Sequence, residues 1–270
     1  MRCVDVCMFN GDEIIKLRLD YYKDYFDTFY LIESWYTFSG KRKPFLFCEK
    51  YADWFAPYKD KVKFHILNDF HSLAAFEQEE HQRNSIVPRL LREESDAIVF
   101  FSDCDEFYDL ATLPSKESLY KTTTEEKKIV HVAMKLYYCR FTNLYPTVIW
   151  TNAFITHMNL LQNTPNIHEL RIYKNQKGVP IPSICIESGW HFSYFMSLDD
   201  IVRKIESFSH QELNHPRNKD KSEILKAINE CRDFFGSSTP VQYKSFDDPF
   251  HGYPELFRKY HEKLIRNDPL

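Results

Sequence analysis

The 270-residue sequence is poor in glycine, with only six, and none of them lies in a glycine-rich loop of the kind that binds nucleotide phosphates. It also lacks any Asn-X-Ser/Thr acceptor for N-glycosylation and any Cys-X-X-Cys pair. Seven scattered cysteines without such a pair are typical of buried thiols in a reducing compartment. Because the opening residues are too polar for a signal peptide, we expect a cytoplasmic protein.

The sequence has no excess of positive charge, since its formal net charge is -4. A nucleic-acid partner is therefore not expected. Residues 141–168 contain no charged side chain and are long enough to cross a bilayer. However, five asparagines and two prolines in that stretch exclude a lipid-exposed helix. We predict strands and loops with a neutral polar face there, and no transmembrane segment.

Aromatic residues, by contrast, are abundant, with 23 phenylalanines, 17 tyrosines and 4 tryptophans. Such rings fill protein cores, and they also form walls on which sugars and bases stack. No repeat or linker interrupts the chain, so one domain is predicted over residues 1–270. Its three parts are a nucleotide-binding half (1–109), an acceptor half (110–195) and a helical tail (196–270).

The first hundred residues alternate between apolar strands and helices, which is typical of a parallel sheet covered on both faces. Strands are predicted at Arg2–Phe9, Asp27–Glu33, Lys61–Leu67 and Ala97–Ser102. Helices are predicted after a capping Asp12 and over Ala74–Glu94, with Pro88 kinking or splitting the second.

Beyond residue 109 the pattern changes to longer strands and then to helices. Strands are predicted at Lys128–Phe141, Pro146–Ile155, Leu170–Tyr173 and Ile184–Tyr194. Helices follow at Leu198–Phe208, Lys221–Phe235 and Tyr253–Ile265. The expected fold class is therefore α/β and Rossmann-like, with a mixed central sheet and a helical C-terminal tail.

Three carboxylates, Asp103, Asp105 and Glu106, follow the apolar strand that ends near residue 102. In sheets of this kind, ligands bind at the carboxyl ends of the strands. Asp103 and Asp105 lie two residues apart, and like charges this close need a cation. Such a pair suits Mg²⁺ or Mn²⁺ that carries a substrate diphosphate. The alternative is a polar turn in which one aspartate caps a helix.

Several blocks of sequence recur together in a fixed order. They are FN-x-x-E from Phe9, LIES-x-Y-T from Leu31, QRN from Gln82, SD-x-DE from Ser102, GWHFSYF from Gly189 and K-x-x-SFSHQE from Lys204. Over roughly residues 4–212 the chain thus resembles glycosyltransferase family 17. The best-known members of that family add a bisecting N-acetylglucosamine in β-1,4 linkage to the core mannose of N-glycans. The resemblance implies an A-type glycosyltransferase fold, a UDP-sugar donor, a glycan acceptor and inversion at the anomeric carbon.

The resemblance also suggests which residues hold a divalent metal. Asp105 would coordinate Mn²⁺ or Mg²⁺ directly, and Asp103 would contact the metal or the ribose. His191 would be a further ligand, with His210 as the second choice. A satisfied structural histidine is the common alternative, which the neighbouring Gly189 disfavours for His191.

Other residues are candidates for binding the donor. Asn10 and Glu33, at strand ends, would contact the base and ribose, although Glu33 could instead cap a helix or turn. Arg83 would bind the phosphates, or else pair with Glu79 or Glu80. Trp190 would stack on a sugar.

Inversion requires a base that accepts the proton of the acceptor hydroxyl, and Glu187 is the first candidate. Glu212, Glu169 and Glu106 are reserves. Two other functions remain open at this point, a sugar-phosphate nucleotidyltransferase and a non-catalytic carbohydrate-binding protein. The first usually has a glycine-rich basic loop after its first strand, and the second needs no metal–diphosphate site.

Overall fold

A computed structural model of the chain describes residues 1–72, 74–162, 166–172 and 181–266. In these ranges the strands are β1 Arg2–Met8, β2 Thr28–Ser34, β3 Val62–Leu67, β4 Ala97–Asp103, β5 Glu106–Phe107, β6 Ile129–Tyr138, β7 Asn143–His157, β8 Ser183–Ser193 and β9 Gln242–Tyr243. The helices are α1 Ile15–Tyr22, α2 Phe47–Lys50, α3 Ala52–Phe55, α4 Ala75–Asn84, α5 Val87–Glu93, α6 Lys116–Thr124, α7 Met158–Leu161, α8 Ile167–Ile172, α9 Leu198–Ser207, α10 Lys221–Asn229 and α11 Leu256–Arg266.

The strands form one mixed sheet in the order β3-β2-β1-β4-β7-β6-β8-β5, and β9 pairs with β7. Strands β1 to β4 are parallel to one another, whereas β7 is antiparallel to both β4 and β6. Strand β8 runs parallel to β6 and antiparallel to β5. This arrangement confirms the predicted α/β fold with a mixed central sheet flanked by helices.

Alternating residues of each central strand pack into separate cores on the two faces of the sheet. In β4, Ile98 and Phe100 join the core that includes α1 and α11, while Val99 and Phe101 join the core that includes α5, α7 and α8. Because side chains alternate along a strand, a strand covered on both faces must be apolar throughout. This requirement explains the apolar run that was predicted as a strand.

Several predicted boundaries differ from those in the structure. Leu170–Tyr173 was predicted as a strand, but Leu170 lies in α8, and Tyr173 lies outside the described residues. The predicted helix 74–94 is two helices, with Pro88 in the first turn of α5, where proline is tolerated. Asp12 does not cap α1 through its side chain, because the helix begins at Ile15 and its N-cap residue is Ile14.

The predicted C-terminal helices are present as α9, α10 and α11, although α10 ends at Asn229 rather than at residue 235. A third hydrophobic cluster joins α9 and α10 to the ends of β6 and β8. Among the described helices, none combines the length and apolar character that crossing a bilayer requires.

Candidate functional site

A cavity of about 440 Å³ opens at the carboxyl ends of the parallel strands. The ends of β1, β2 and β4 contribute Asn10, Ser34 and Asp103 to its wall, as expected for ligand binding in a parallel sheet. Strand β8 contributes His191, and α9 contributes Lys204. The remaining lining residues include many polar and aromatic side chains, among them Asp12, Tyr36, Thr37, Phe76, Trp150, Asn152, His168, Arg171, Tyr194, Phe208 and His210.

The two aspartates predicted to hold a metal both line this cavity. Asp103 ends β4, and Asp105 lies in the short turn between β4 and β5. Cys104, between them, is buried. The turn is held against β8, because the Phe192 amide donates to the Asp105 carbonyl at 2.8 Å.

Two arginines hold the carboxylate of Asp103. Arg83 donates to Oδ1 at 2.9 Å, and Arg171 of α8 donates to Oδ2. Burial alone would raise the pKa of Asp103, but Arg171 and Arg83 lower it to about 2. The carboxylate is therefore an anion at neutral pH, and each oxygen already faces a guanidinium.

Asp105 is paired differently, with one lysine and one histidine. Lys204 Nζ lies 3.2 Å from Oδ2, and His191 Nε2 lies 3.5 Å from Oδ1. Burial acts to raise the pKa of Asp105, but the charges of Lys204 and His191 outweigh it and hold the pKa well below its usual range. Asp105 is thus a buried anion, and both Lys204 and His191 reach it from the cavity side.

Glu106 supports the turn from within the protein rather than acting in the cavity. It is fully buried, and its carboxylate accepts hydrogen bonds from the Asp103 amide at 2.8 Å and from the Arg171 guanidinium. The indole Nε1 of Trp150 also donates to it. Because both oxygens of Glu106 are engaged and its side chain does not line the cavity, the structure does not favour its reserve role as a general base.

A buried ion pair lies beneath the same turn. Arg18 of α1 donates to both carboxylate oxygens of Asp5 in β1, at 2.5 and 2.8 Å. The same guanidinium donates to the carbonyls of Asp103 and Glu106, which flank Asp105. Arg18 therefore fixes the backbone on both sides of Asp105.

The residues predicted to bind the nucleotide are placed in different environments. Asn10 lines the cavity. Glu33 does not, because its buried carboxylate accepts from Lys43 Nζ and from the amides of Phe47 and Cys48, at the start of α2. Glu33 therefore caps the start of α2, which is the alternative role considered for it in the sequence analysis.

Arg83 and Trp190 also lie outside the cavity wall. Arg83 contacts Asp103 and pairs with Glu79 at 2.8 Å, and the second of these contacts is the alternative considered for it. Trp190 is buried in the core, where its indole donates to the carbonyl of His251 at 2.7 Å. Its ring packs against Phe257 of α11, so it cannot stack on a sugar in this arrangement.

The structure does not bring Glu187 to the cavity. Its side chain is exposed on β8, and Glu169 is likewise exposed on α8, outside the cavity wall. His210 does line the cavity, and its Nδ1 lies 2.7 Å from Oε1 of Glu212. This histidine and glutamate form a pair at the rim, next to the exposed ring of Phe76.

The donor atoms present fit a metal site with two protein ligands. Among the described residues, no three histidine, cysteine, aspartate or glutamate side chains converge on one point. Mg²⁺ and Mn²⁺ sites often use only one or two protein ligands and complete their shell with water and phosphate oxygens. Asp105 and His191 lie side by side, and Nδ1 of His191 is buried with no hydrogen-bond partner in the described ranges.

Three basic residues of this site were not singled out from the sequence, namely Arg18, Arg171 and Lys204. For Arg18 a signal existed, because an arginine sits on the apolar face of a helix while Asp5 interrupts an apolar strand. Lys204 begins the K-x-x-SFSHQE block but carried no assigned role. For Arg171, nothing in the local sequence indicated a role in the site, since its segment is predicted as a strand.

Comparison with known proteins bears on the whole chain. A scan of protein-family models matches residues 1–259 to glycosyltransferase family 17. No curated protein matches the chain. Among solved structures, mannose-6-phosphate isomerase from Helicobacter pylori is similar over 60% of this chain and 72% of that chain, with 8% identity and a TM-score of 0.35. A similarity at that level supports no inference about fold or activity.

Proposed function

The chain belongs to glycosyltransferase family 17 and is a glycosyltransferase, and from that premise we propose that it transfers N-acetylglucosamine from UDP-N-acetylglucosamine to a hydroxyl group of a carbohydrate acceptor. We further propose an A-type glycosyltransferase fold, inversion at the anomeric carbon and dependence on a divalent metal. The observation that carries this proposal is the pair Asp103 and Asp105 at the end of β4, facing a cavity of about 440 Å³.

The nucleotide would lie over the ends of β1 and β2, where Asn10, Ser34 and Thr37 offer hydrogen-bonding groups along one side of the cavity. A pocket of this volume, with polar and aromatic walls, is of a size that holds small-molecule ligands. The diphosphate would then reach the end of β4, where Asp105 and Lys204 lie.

Asp105 and His191 would hold Mn²⁺ or Mg²⁺. When bound there, such an ion supplies Lewis-acid stabilisation of the diphosphate that leaves in the reaction. Asp103 has a supporting role in this proposal, since Arg83 and Arg171 occupy its oxygens. Those two ion pairs fix the backbone that presents Asp105.

We assign the base for inversion to His210 instead of Glu187. A general base must reach the acceptor hydroxyl, and only His210 of these two lines the cavity. If Nδ1 of His210 carries its proton and donates it to Glu212, Nε2 is left free to accept a proton. Trp150 and Asn152, from the charge-free stretch, also line the cavity and would contact a neutral acceptor.

Replacing Asp105 with asparagine tests the donor site. Asp105→Asn should abolish transfer and metal-dependent UDP binding while the circular dichroism spectrum stays native, because the isosteric amide lacks the charge that a divalent ion needs. Asp247→Asn is the control, since that exposed aspartate pairs with a surface arginine, Arg258, and does not line the cavity. Near-normal turnover by Asp105→Asn would show that the catalytic site lies elsewhere.

A second pair of variants tests the base. His210→Gln should keep UDP affinity but lower kcat at least about 100-fold, the usual contribution of a general base. Glu187→Gln should retain wild-type kcat. UDP release from UDP-N-acetylglucosamine, measured with mannose-containing oligosaccharides, reports both. Loss of turnover in Glu187→Gln with normal turnover in His210→Gln would reverse the assignment.

A further inference from the structure

Three residues with a permanent positive charge line the described part of the cavity, namely Lys43, Arg171 and Lys204. The side chains of Lys43 and Arg171 are each only 6% exposed. Lys43 donates to the buried Glu33, and Arg171 is held by two carboxylates, Asp103 and Glu106. Both cations are therefore committed to the protein, and neither is free to follow a ligand.

Lys204 differs in both exposure and pairing. Its side chain is 26% exposed, and among the described residues it forms an ion pair with one carboxylate, Asp105, at 3.2 Å. An ammonium group carries three protons, so Lys204 keeps donors for another anion in the cavity. Its four-carbon stem rotates readily, unlike the rigid fork of an arginine. Lys204 is thus the cavity cation best able to change partners.

Tyr194, a residue with a strained backbone, lies beside Lys204. The Nζ of Lys204 lies 5.1 Å from the ring centroid of Tyr194, a distance typical of a cation–π contact. Tyr194 has a φ of +61°, in the left-handed region that a tyrosine rarely adopts. Strain of this kind persists where surrounding structure enforces it, and often at functional sites. Here it directs an aromatic face toward the ammonium group.

We propose that Lys204 exchanges anionic partners during donor binding: it pairs with Asp105 in the free protein and with the diphosphate of the nucleotide once a divalent metal occupies Asp105. The inference rests on the proposed function and adds a diphosphate-binding residue to it. Its physical basis is competition, because the ammonium group and the metal need the same carboxylate. The displaced ammonium group then lies beside the incoming phosphates, the strongest acceptors for a charged donor.

If Lys204 exchanges partners, its replacement should change the Mn²⁺ affinity and the UDP affinity in opposite directions. In Lys204→Gln, Mn²⁺ alone should bind about two- to fivefold more tightly than in the wild type, since a competing ion pair of modest strength is gone. With Mn²⁺ saturating, the same variant should bind UDP about tenfold more weakly, because a charged hydrogen bond is lost. UMP affinity should change less, so the UDP:UMP affinity ratio should fall.

Lys219→Gln is a closely matched control. Lys219 also pairs with one carboxylate, Glu206, at 2.9 Å, and its side chain is 25% exposed, but it does not line the cavity. Isothermal titration calorimetry would measure the affinities for UDP and UMP. Electron paramagnetic resonance of the free Mn²⁺ would give the affinity for the metal. For Lys219→Gln, all three affinities should equal those of the wild type.

A third variant keeps the test decisive if Lys204→Gln does not fold. Lys204→Arg retains the charge, and its guanidinium can grip Asp105 with two hydrogen bonds. Mn²⁺ should therefore bind this variant more weakly than the wild type, the reverse of the glutamine variant. Tighter Mn²⁺ binding by Lys204→Arg would overturn the exchange.

The outcomes separate this inference from the proposed function. If the wild type binds neither UDP nor Mn²⁺, the proposed function fails. If the wild type binds both, and Lys204→Gln matches Lys219→Gln in Mn²⁺ affinity and in the UDP:UMP ratio, the partner exchange alone is refuted.

Discussion

Replacing Arg18 with leucine should destabilise the protein strongly, because Arg18 and Asp5 form an ion pair with no solvent exposure. Arg18 makes five hydrogen bonds, two to Asp5 and three to Ser102, Asp103 and Glu106. Removing one partner of a buried pair leaves the other charge uncompensated, which costs about 3–5 kcal/mol. For a chain of this size that loss corresponds to a decrease in Tm of roughly 6–20 °C.

Urea unfolding followed by circular dichroism would measure this cost in a double-mutant cycle. Asp5→Leu should be destabilised to a similar extent, whereas Asp5→Leu/Arg18→Leu should lose less than the sum of the two, because no buried charge remains. Arg258→Leu is the control, since Arg258 forms its ion pairs at the surface, and it should unfold near the wild-type midpoint.

Two results would refute this reasoning. One is a loss below about 1 kcal/mol for Arg18→Leu, which would mean that water or another group compensates Asp5. The other is strict additivity in the cycle, which would mean that the two side chains act independently. If the variant folds, it should also bind UDP more weakly, because Arg18 holds the carbonyls on both sides of Asp105.

Three further predictions concern the same site. Gly189→Ala should lower the free energy of unfolding in urea by about 1–3 kcal/mol more than Gly252→Ala does. A Cβ at Gly189 would lie 2.0 Å from the Phe107 carbonyl oxygen, whereas a Cβ at Gly252 would lie in open space. Equal losses in the two variants would contradict this prediction. The pKa values of Asp103 and Asp105 lie below the unfolded value of about 4, so stability that is present above pH 4 should be lost as the pH falls toward 2; a constant urea midpoint over that range would contradict the pairing. Trp150→Phe removes the donor to Glu106 but keeps a ring beside His191, and Mn²⁺ affinity should fall about tenfold, whereas an unchanged affinity would separate Trp150 from the proposed metal site.

The sheet and the location of the acidic turn could be predicted because both depend on local periodicity. Strand β4 is apolar from Ala97 to Phe101 and ends at Asp103, so consecutive residues predict both its burial and its end. The position of Asn10 in the cavity wall follows from the rule that parallel strands share one carboxyl edge, although at the end of β2 the wall contains Ser34 and not the predicted Glu33.

The environment of β8 could not be predicted in this way. Pairing between β6 and β8 shifts register between Ala133 and Lys135, so simple alternation does not carry across this point from Glu187 to Trp190. The position of Trp190 depends on His251 and Phe257, more than sixty residues later in the chain. No local pattern reports such a contact.

The cations of the site illustrate the same limit. A sequence shows that Asp103 and Asp105 need positive charge, but it does not show which lysine or arginine supplies it. Arg171 reaches Asp103 across 68 residues, and Lys204 reaches Asp105 across 99. Their pairing depends on the packing of α8 and α9 over the sheet, which is a property of the whole fold.

The shortness of strand β5, which has two residues, limits the insertions and deletions that this protein can tolerate. Glu106 pairs with His191 and Phe107 with Trp190, so just two residue pairs align the acidic turn with β8. A slip of one residue in β5 would turn the side chains of Glu106 and Phe107 to the opposite faces of the sheet, because neighbouring side chains point to opposite faces. Insertions or deletions between residues 103 and 107 should therefore be far less tolerated than equal changes in the surrounding loops.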